Sequence, residues 1–196
     1  MEAILLSNRY RMIISLSRLA RELKVTSPDL ITRPMGRSFF KKVASRLSCI
    51  QDGETILLDF EDIRVVDSSF IAEFIMKLIF ESQSNTQRFY VKLSSLSDTT
   101  IMNIESVFKS YHSMNNSKIA VITDELINNS YAIGQVSDKG KDIINYLNIN
   151  KSASAVELAS FLQEESGYTA HLLEELHSLG LVKTETGRNT VLYCAI

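Results

Sequence analysis

The order of apolar and polar positions predicts alternating strands and helices over residues 1–125. MIIS at 12–15 is a short apolar run and reads as a strand. GRSFFKKVASRL at 36–47 reads as a helix: Phe39, Phe40, Val43, Ala44 and Leu47 share one arc, and Arg37, Lys41, Lys42 and Arg46 share the other. TILLDF at 55–60 is apolar without interruption up to Asp59, as a strand covered on both faces should be. SSFIAEFIMKLIFE at 68–81 is helical and apolar nearly all round. Its polar stripe is Ser69, Glu73, Lys77 and Glu81, spaced by four, which allows Glu73–Lys77 and Lys77–Glu81 pairs. FYVKL at 89–93 predicts a strand, TTIMNIESVFKSY at 99–111 a helix, and KIAVIT at 118–123 a last strand.

Residues 138–196 carry a different pattern. KGKDIINYLN at 139–148 predicts a helix, and Ser154 with Glu157 three residues on is a capping box opening another, through about Leu162. GYTAHLLEELHSLG at 167–180 predicts a third, with Leu172, Leu173, Leu176 and Leu179 inside and Gly180 placed to end it in a left-handed conformation. LVKTETGRNTVLYCAI then reads as a hairpin turning near Gly187. Three helices followed by a hairpin describe a small α+β winged-helix domain. The expected organisation is an α/β domain over 1–125, a linker over 126–137 and the winged helix over 138–196. The boundary is set by the polar, small-residue composition near 113–138.

Composition leaves this picture in place and charge sharpens it. The chain has 196 residues, 45% hydrophobic and 22% charged, so it folds rather than remaining disordered. Net charge is −2, but residues 1–46 sum to +7 and residues 138–196 to −3. Cys49 and Cys194 lie far apart without metal spacing and read as reduced, buried thiols. The most apolar stretch, 71–80, is interrupted by Glu73 and Lys77 and too short to span a bilayer. The expectation is a soluble cytoplasmic protein.

At 57–71 the chain reads LLDFEDIRVVDSSFI. This resembles the STAS domains of bacterial anti-sigma factor antagonists, in which a buried strand leads to Asp-Ser-Ser at a helix start. Those antagonists follow the serines with Gly-Leu, whereas Phe70-Ile71 stands here. With GRSFFKKV upstream, the stretch is nearer the less characterised STAS-like group. The resemblance covers roughly residues 12–112 by element order and implies an α/β STAS-like domain, a mixed sheet with helices. It implies Ser68 as the match to the phosphorylated serine, with Ser69 as the alternative acceptor. It also implies a partner such as a histidine-kinase-like ATPase or an anti-sigma factor, docking on Asp67, Glu73 and Lys77. Read locally, Asp67 or Ser68 simply caps the helix.

Other candidates divide by chemistry. Asp59, Glu61, Asp62 and Asp67 crowd one stretch, but strand alternation sends neighbours to opposite faces and no His or Cys joins them. His171 and His177 are six apart and do not share a helix face. No nucleophile–base pair, phosphate-cradling Gly-rich loop or GxSxG is present, so no enzyme, metal or cofactor is expected. Arg37, Lys41, Lys42 and Arg46 are candidates for contact with nucleic acid or an acidic partner. Tyr168, Thr169, His171, Lys183 and Arg188 are the corresponding candidates on the winged helix. The leading expectation is a non-enzymatic regulator acting by protein binding. The alternative is a DNA-binding transcription regulator whose first domain senses a signal, although the third helix of the second unit presents His171, Glu174, His177 and Ser178 outward, without a fixed positive charge.

Overall fold

Two stretches that are buried on both faces lie inside the sheet. In the computed structural model, which describes residues 12–84, 88–125, 129–186 and 190–196, these are β3 (Thr55–Asp59) and β5 (Tyr90–Ser94). They pair in parallel with each other, with β1 (Met12–Ser15) outside β3 and β6 (Ala120–Glu125) outside β5. A fifth strand, β7 (Asn129–Gly134), runs antiparallel on β6, giving the order β1-β3-β5-β6-β7. β7 lies within the stretch expected as a linker. Its composition is polar, but Tyr131 and Ile133 face one side of the sheet and Ser130 and Ala132 the other, so the ladder forms. Its end depends on Gly134, at φ 119°, where a Cβ would sit 2.2 Å from the Ile119 carbonyl.

One face of the sheet carries helices from the first part of the chain. α1 (Leu16–Glu22), absent from the sequence expectation, follows β1 directly, and the Ser15 side chain accepts from Arg18 N to start it. α2 (Arg33–Leu47) begins three residues earlier than the apolar period indicates, with Pro34 in its first turn. α3 is one continuous helix made of Ser68–Phe70, a π-helical stretch Ile71–Met76, and Lys77–Ser84. α4 (Asp98–Asn115) closes at left-handed Asn116. Ile56, Leu58, Val91, Leu93, Val121 and Ile133 from the strands meet Phe39, Val43, Phe70, Phe74, Ile104 and Phe108 in one core. Between these elements, β2 (Asp29–Leu30) and β4 (Val65–Val66) form a two-stranded parallel ribbon.

The alternate residues of the same strands point the other way, into a second core. Tyr90, Ala120 and Ile122 pack with Ile143, Ile144, Leu147, Leu172 and Leu176 from the C-terminal part. That part comprises α5 (Asp138–Asn150), β8 (Ser152–Ser154), α6 (Ala155–Leu162), α7 (Ser166–Ser178), β9 (Val182–Thr186) and β10 (Val191–Ala195). The three short strands form an antiparallel sheet, β8-β10-β9. The Ser154–Glu157 capping box is formed, and Gly180 has φ 73°. The turn expected near Gly187 lies outside the described residues. Of the two cysteines expected inside, the structure buries Cys194 and leaves Cys49 exposed.

Polar contacts fix the seam between the two parts. Lys92, fully buried on β5, reaches Ser130 Oγ at 3.5 Å; that hydroxyl donates to Asp124 Oδ1 at 2.9 Å. Asn148 of α5 donates to the Ser130 carbonyl at 2.9 Å. Arg88 donates to the carbonyls of His177 and Ser178, and Gln83 to that of Leu179 at 3.1 Å. These carbonyls lie at the C-terminus of a helix, where a cation is favoured by the dipole. Lys118 pairs with Glu175 at 2.8 Å. Among the described residues, no helix is long and apolar enough to cross a membrane.

Candidate functional site: paired helix starts at Asp67

The ribbon β2–β4 delivers two chain segments in register to the starts of two helices. Arg64 holds Asp29 through two hydrogen bonds of 2.8 and 2.5 Å, which keeps the Asp29 carboxyl below its usual value. Asn103 of α4 donates to the Val66 carbonyl at 2.8 Å. One residue after Val66 comes Asp67, and two after Leu30 comes Thr32. Asp67 Oδ1 accepts from Phe70 N at 2.7 Å, and Oδ2 accepts from Thr32 N at 3.4 Å. Asp67 is therefore the cap of α3 and also touches the start of α2. Thr32 is at φ 87°, a conformation costly for a β-branched residue, and no side chain caps α2. Ser68 is exposed in the first turn of α3 and Ser69 is half-buried beside it.

α2 then runs beside α3 with no side chain between them at Gly36. A Cβ there would lie 2.9 Å from Glu73 Cβ and 3.2 Å from the Phe70 carbonyl. Below this crossing Phe39 packs edge-on against Phe70 at 5.0 Å and Phe74 at 5.9 Å. Above it the carboxylate of Glu73, a residue only 7% exposed, is surrounded by cations. Lys77 Nζ sits 2.6 Å from Oε2, Arg37 reaches both oxygens at 3.4 Å, and Arg33 reaches Oε1 at 3.4 Å. The Lys77 hydrogen bond, aided by Arg37 and opposed by partial burial, holds the Glu73 carboxyl down to about 2.

The four-spaced stripe of α3 brings Lys77 beside Glu73, as i,i+4 spacing on a helix allows, and Glu73 sits within the π-helical stretch Ile71–Met76. Glu73 is a buried member of the stripe and Lys77 an exposed one.

The basic face of α2 divides in two. Lys42 and Arg46 pair with Glu22 of α1 at 3.7 and 2.8 Å. Arg37 turns to Glu73, and Lys41 is exposed without a partner among the described residues. Arg33 belongs with Arg37 but falls outside the helix expected from the apolar period. Asp59 accepts from Glu61 N at 3.1 Å and Ser94 Oγ at 3.4 Å, while Asp62 is in a left-handed turn at φ 66°.

The candidates on the C-terminal part are placed differently from the expectation. Thr169 is fully buried, its hydroxyl without a hydrogen-bond partner, so it is not a surface contact. Lys183 lies over the Tyr90 ring at 5.1 Å, and burial pushes its pKa down. Tyr168 is exposed beneath Lys139, whose ammonium is 5.1 Å from its ring, and His171 is exposed. His177 is half-buried, and burial together with nearby Arg88 pushes its pKa down. Arg188 lies outside the described residues.

Residues 35–100 match the family model of a STAS-like domain of unknown function. The matched stretch runs from the first turn of α2 into α4 and contains Asp67, Ser68, Ser69, Glu73 and Lys77. A mixed, parallel-rich sheet with helices agrees with that match. A search of curated proteins returned no match.

Proposed function

We propose that the chain is a non-enzymatic cytoplasmic regulator acting by protein–protein binding through its STAS-like part, in signalling or transcription control. Residues 138–196 serve in this reading as a winged helix and a second interaction module. The observation that carries the proposal is the exposed Ser68 in the first turn of α3, beside the shared cap Asp67 and the start of α2. Phosphate there would meet favourable helix dipoles and add nearly two negative charges to a docking surface. By the STAS resemblance, the partner is a protein such as a histidine-kinase-like ATPase or an anti-sigma factor.

The DNA-binding alternative is less well supported by the charges. Lys139 pairs with Glu164, Lys141 with Asp138 at 3.3 Å, Lys151 bonds the Asn148 carbonyl at 2.9 Å, and Lys183 covers Tyr90. The carboxylates beside Lys139 and Lys141, and the net −3 of residues 138–196, leave little positive field there for phosphates.

The test is binding to a partner captured from host lysate, identified by mass spectrometry and then purified, with phosphate on Ser68 and Ser69 read from the same sample. Ser68→Asp should change affinity at least tenfold, about 1.4 kcal/mol, while Ser68→Ala leaves it near the parent. An effect only at Ser69→Asp moves the acceptor to Ser69. No change at either position reduces Ser68 to a helix-start residue and removes the switch.

A further inference from the structure

Arg33, Arg37 and Lys41 are spaced by four along α2. Successive members are therefore about 6 Å apart along the helix axis. The two arginines turn to the same carboxylate, and Lys41 continues the row one turn on. That carboxylate does not saturate them. Lys77 holds it at 2.6 Å, while Arg33 and Arg37 approach only to 3.4 Å, longer than the roughly 2.7–2.9 Å of strong charge-assisted bonds. A guanidinium offers five donors; Arg33 and Arg37 each use one in a hydrogen bond here, and their side chains are 61% and 62% exposed. Lys41 is unpaired among the described residues. The neighbouring positive charges on the other edge of α2, Lys42 and Arg46, share the single carboxylate of Glu22 with Arg18 and are only partly offset by it.

We infer that the Arg33–Arg37–Lys41 row of α2 is a docking surface for an acidic α-helix of a protein partner, one bearing Asp or Glu at i, i+4 and i+8. Both rows climb about 6 Å and drift about 40° per member, so they line up when the two helices cross at about −50°, the angle at which four-spaced rows interdigitate. Guanidinium forks also favour planar carboxylates held in fixed places over a diffuse charge. The inference rests on the protein-docking reading above and adds the chemistry of the partner.

The probe is an Ala-rich helical peptide with glutamates at i, i+4 and i+8. It is compared by fluorescence anisotropy with an isomer of identical composition carrying them at i, i+2 and i+5, which scatters them around the helix. A DNA duplex of about 20 bp is titrated alongside, at about 50 and about 200 mM salt. The in-register peptide should bind the full chain at least fivefold more tightly than its isomer. Lys41→Glu, which lies away from Glu73, and Arg37→Gln should each weaken it at least threefold, with unchanged circular dichroism. Equal affinity for the two isomers, or indifference to Lys41→Glu, overturns the register proposal while the Ser68 test of protein docking stands. A duplex that binds more tightly than the peptide, and is weakened by the same variants, overturns both.

Discussion

Truncating Phe74 to alanine tests the packing on which the site stands. Phe74 is fully buried inside the π-helical stretch, 5.9 Å from the Phe39 ring and 5.4 Å from Phe70. Removing a buried aromatic side chain costs about 3–5 kcal/mol through lost transfer energy and the cavity left behind. The interlocked Phe39 and Phe70 rings hinder collapse into that cavity, which favours the upper half of the range. For a chain of this size the melting temperature should fall by roughly 6–20 °C. Urea unfolding followed by circular dichroism gives the free energy, and an unchanged m-value shows that the same surface is exposed on unfolding. Pairing the change with Phe39→Ala in a double-mutant cycle should return a coupling of about 0.5–1.5 kcal/mol for the edge-on contact. A loss under about 1 kcal/mol for Phe74→Ala, or strict additivity with Phe39→Ala, would refute the reasoning, since neither fits a ring locked in a closed core.

The crossing above that core is tight enough for one methyl group to matter. Gly36→Ala gains about 1 kcal/mol of helix propensity but drives a Cβ to 2.9 Å from Glu73 Cβ, against backbone 3.2 Å away; overpacking of about 1–3 kcal/mol should leave the variant less stable, and a stabilised variant in the same denaturation assay would contradict the close approach. Glu73 should leave a signature in acid. Its folded pKa is lowered from 4.5 to about 2, so its contribution is complete above 4.5 and disappears as pH falls through about 2. The stability difference between the parent and Glu73→Gln should therefore shrink across that window, and a difference independent of pH there would show that the carboxylate is not held by Lys77 and Arg37.

Much of the fold is written in local pattern. The parallel strand β3 is visible as an uninterrupted apolar run, β5 as the short run FYVKL, and the capping box Ser154–Glu157 marks its helix directly. What escaped has specific causes. β2 and β4 are two residues each, too short to carry a period; long-range contacts hold them, the buried Leu30 and Val66 together with the Asp67 N–H on the Leu30 carbonyl. β7 is disguised by polar residues because only one of its faces needs large apolar groups. The start of α2 was legible in principle: Pro34 is a first-turn signal, but the apolar period alone delays the helix to Gly36.

The site divides along the same line between local and long-range information. The four-spaced polar stripe of α3 could be read, and so could the alignment of Glu73 with Lys77. That Glu73 would be buried, and would draw Arg33 and Arg37 from a helix some forty residues earlier, depends on α2 crossing α3 at Gly36. Thr169, a contact candidate by sequence, precedes Leu172 and Leu173 by three and four positions, which on a helix places it with them on the buried side. Lys183 differs from its sequence expectation in its surroundings. Strand alternation turns it away from the core side of Val182, which in an isolated hairpin would mean solvent; here that side meets Tyr90 on the large sheet. No local pattern encodes this contact. The described cations of residues 138–196 are thereby drawn into intramolecular contacts, whereas part of the +7 of residues 1–46 stays uncompensated on the outer edge of α2. Net charge per segment does not reveal which part of the molecule presents a usable positive surface; the pairing of each charge does.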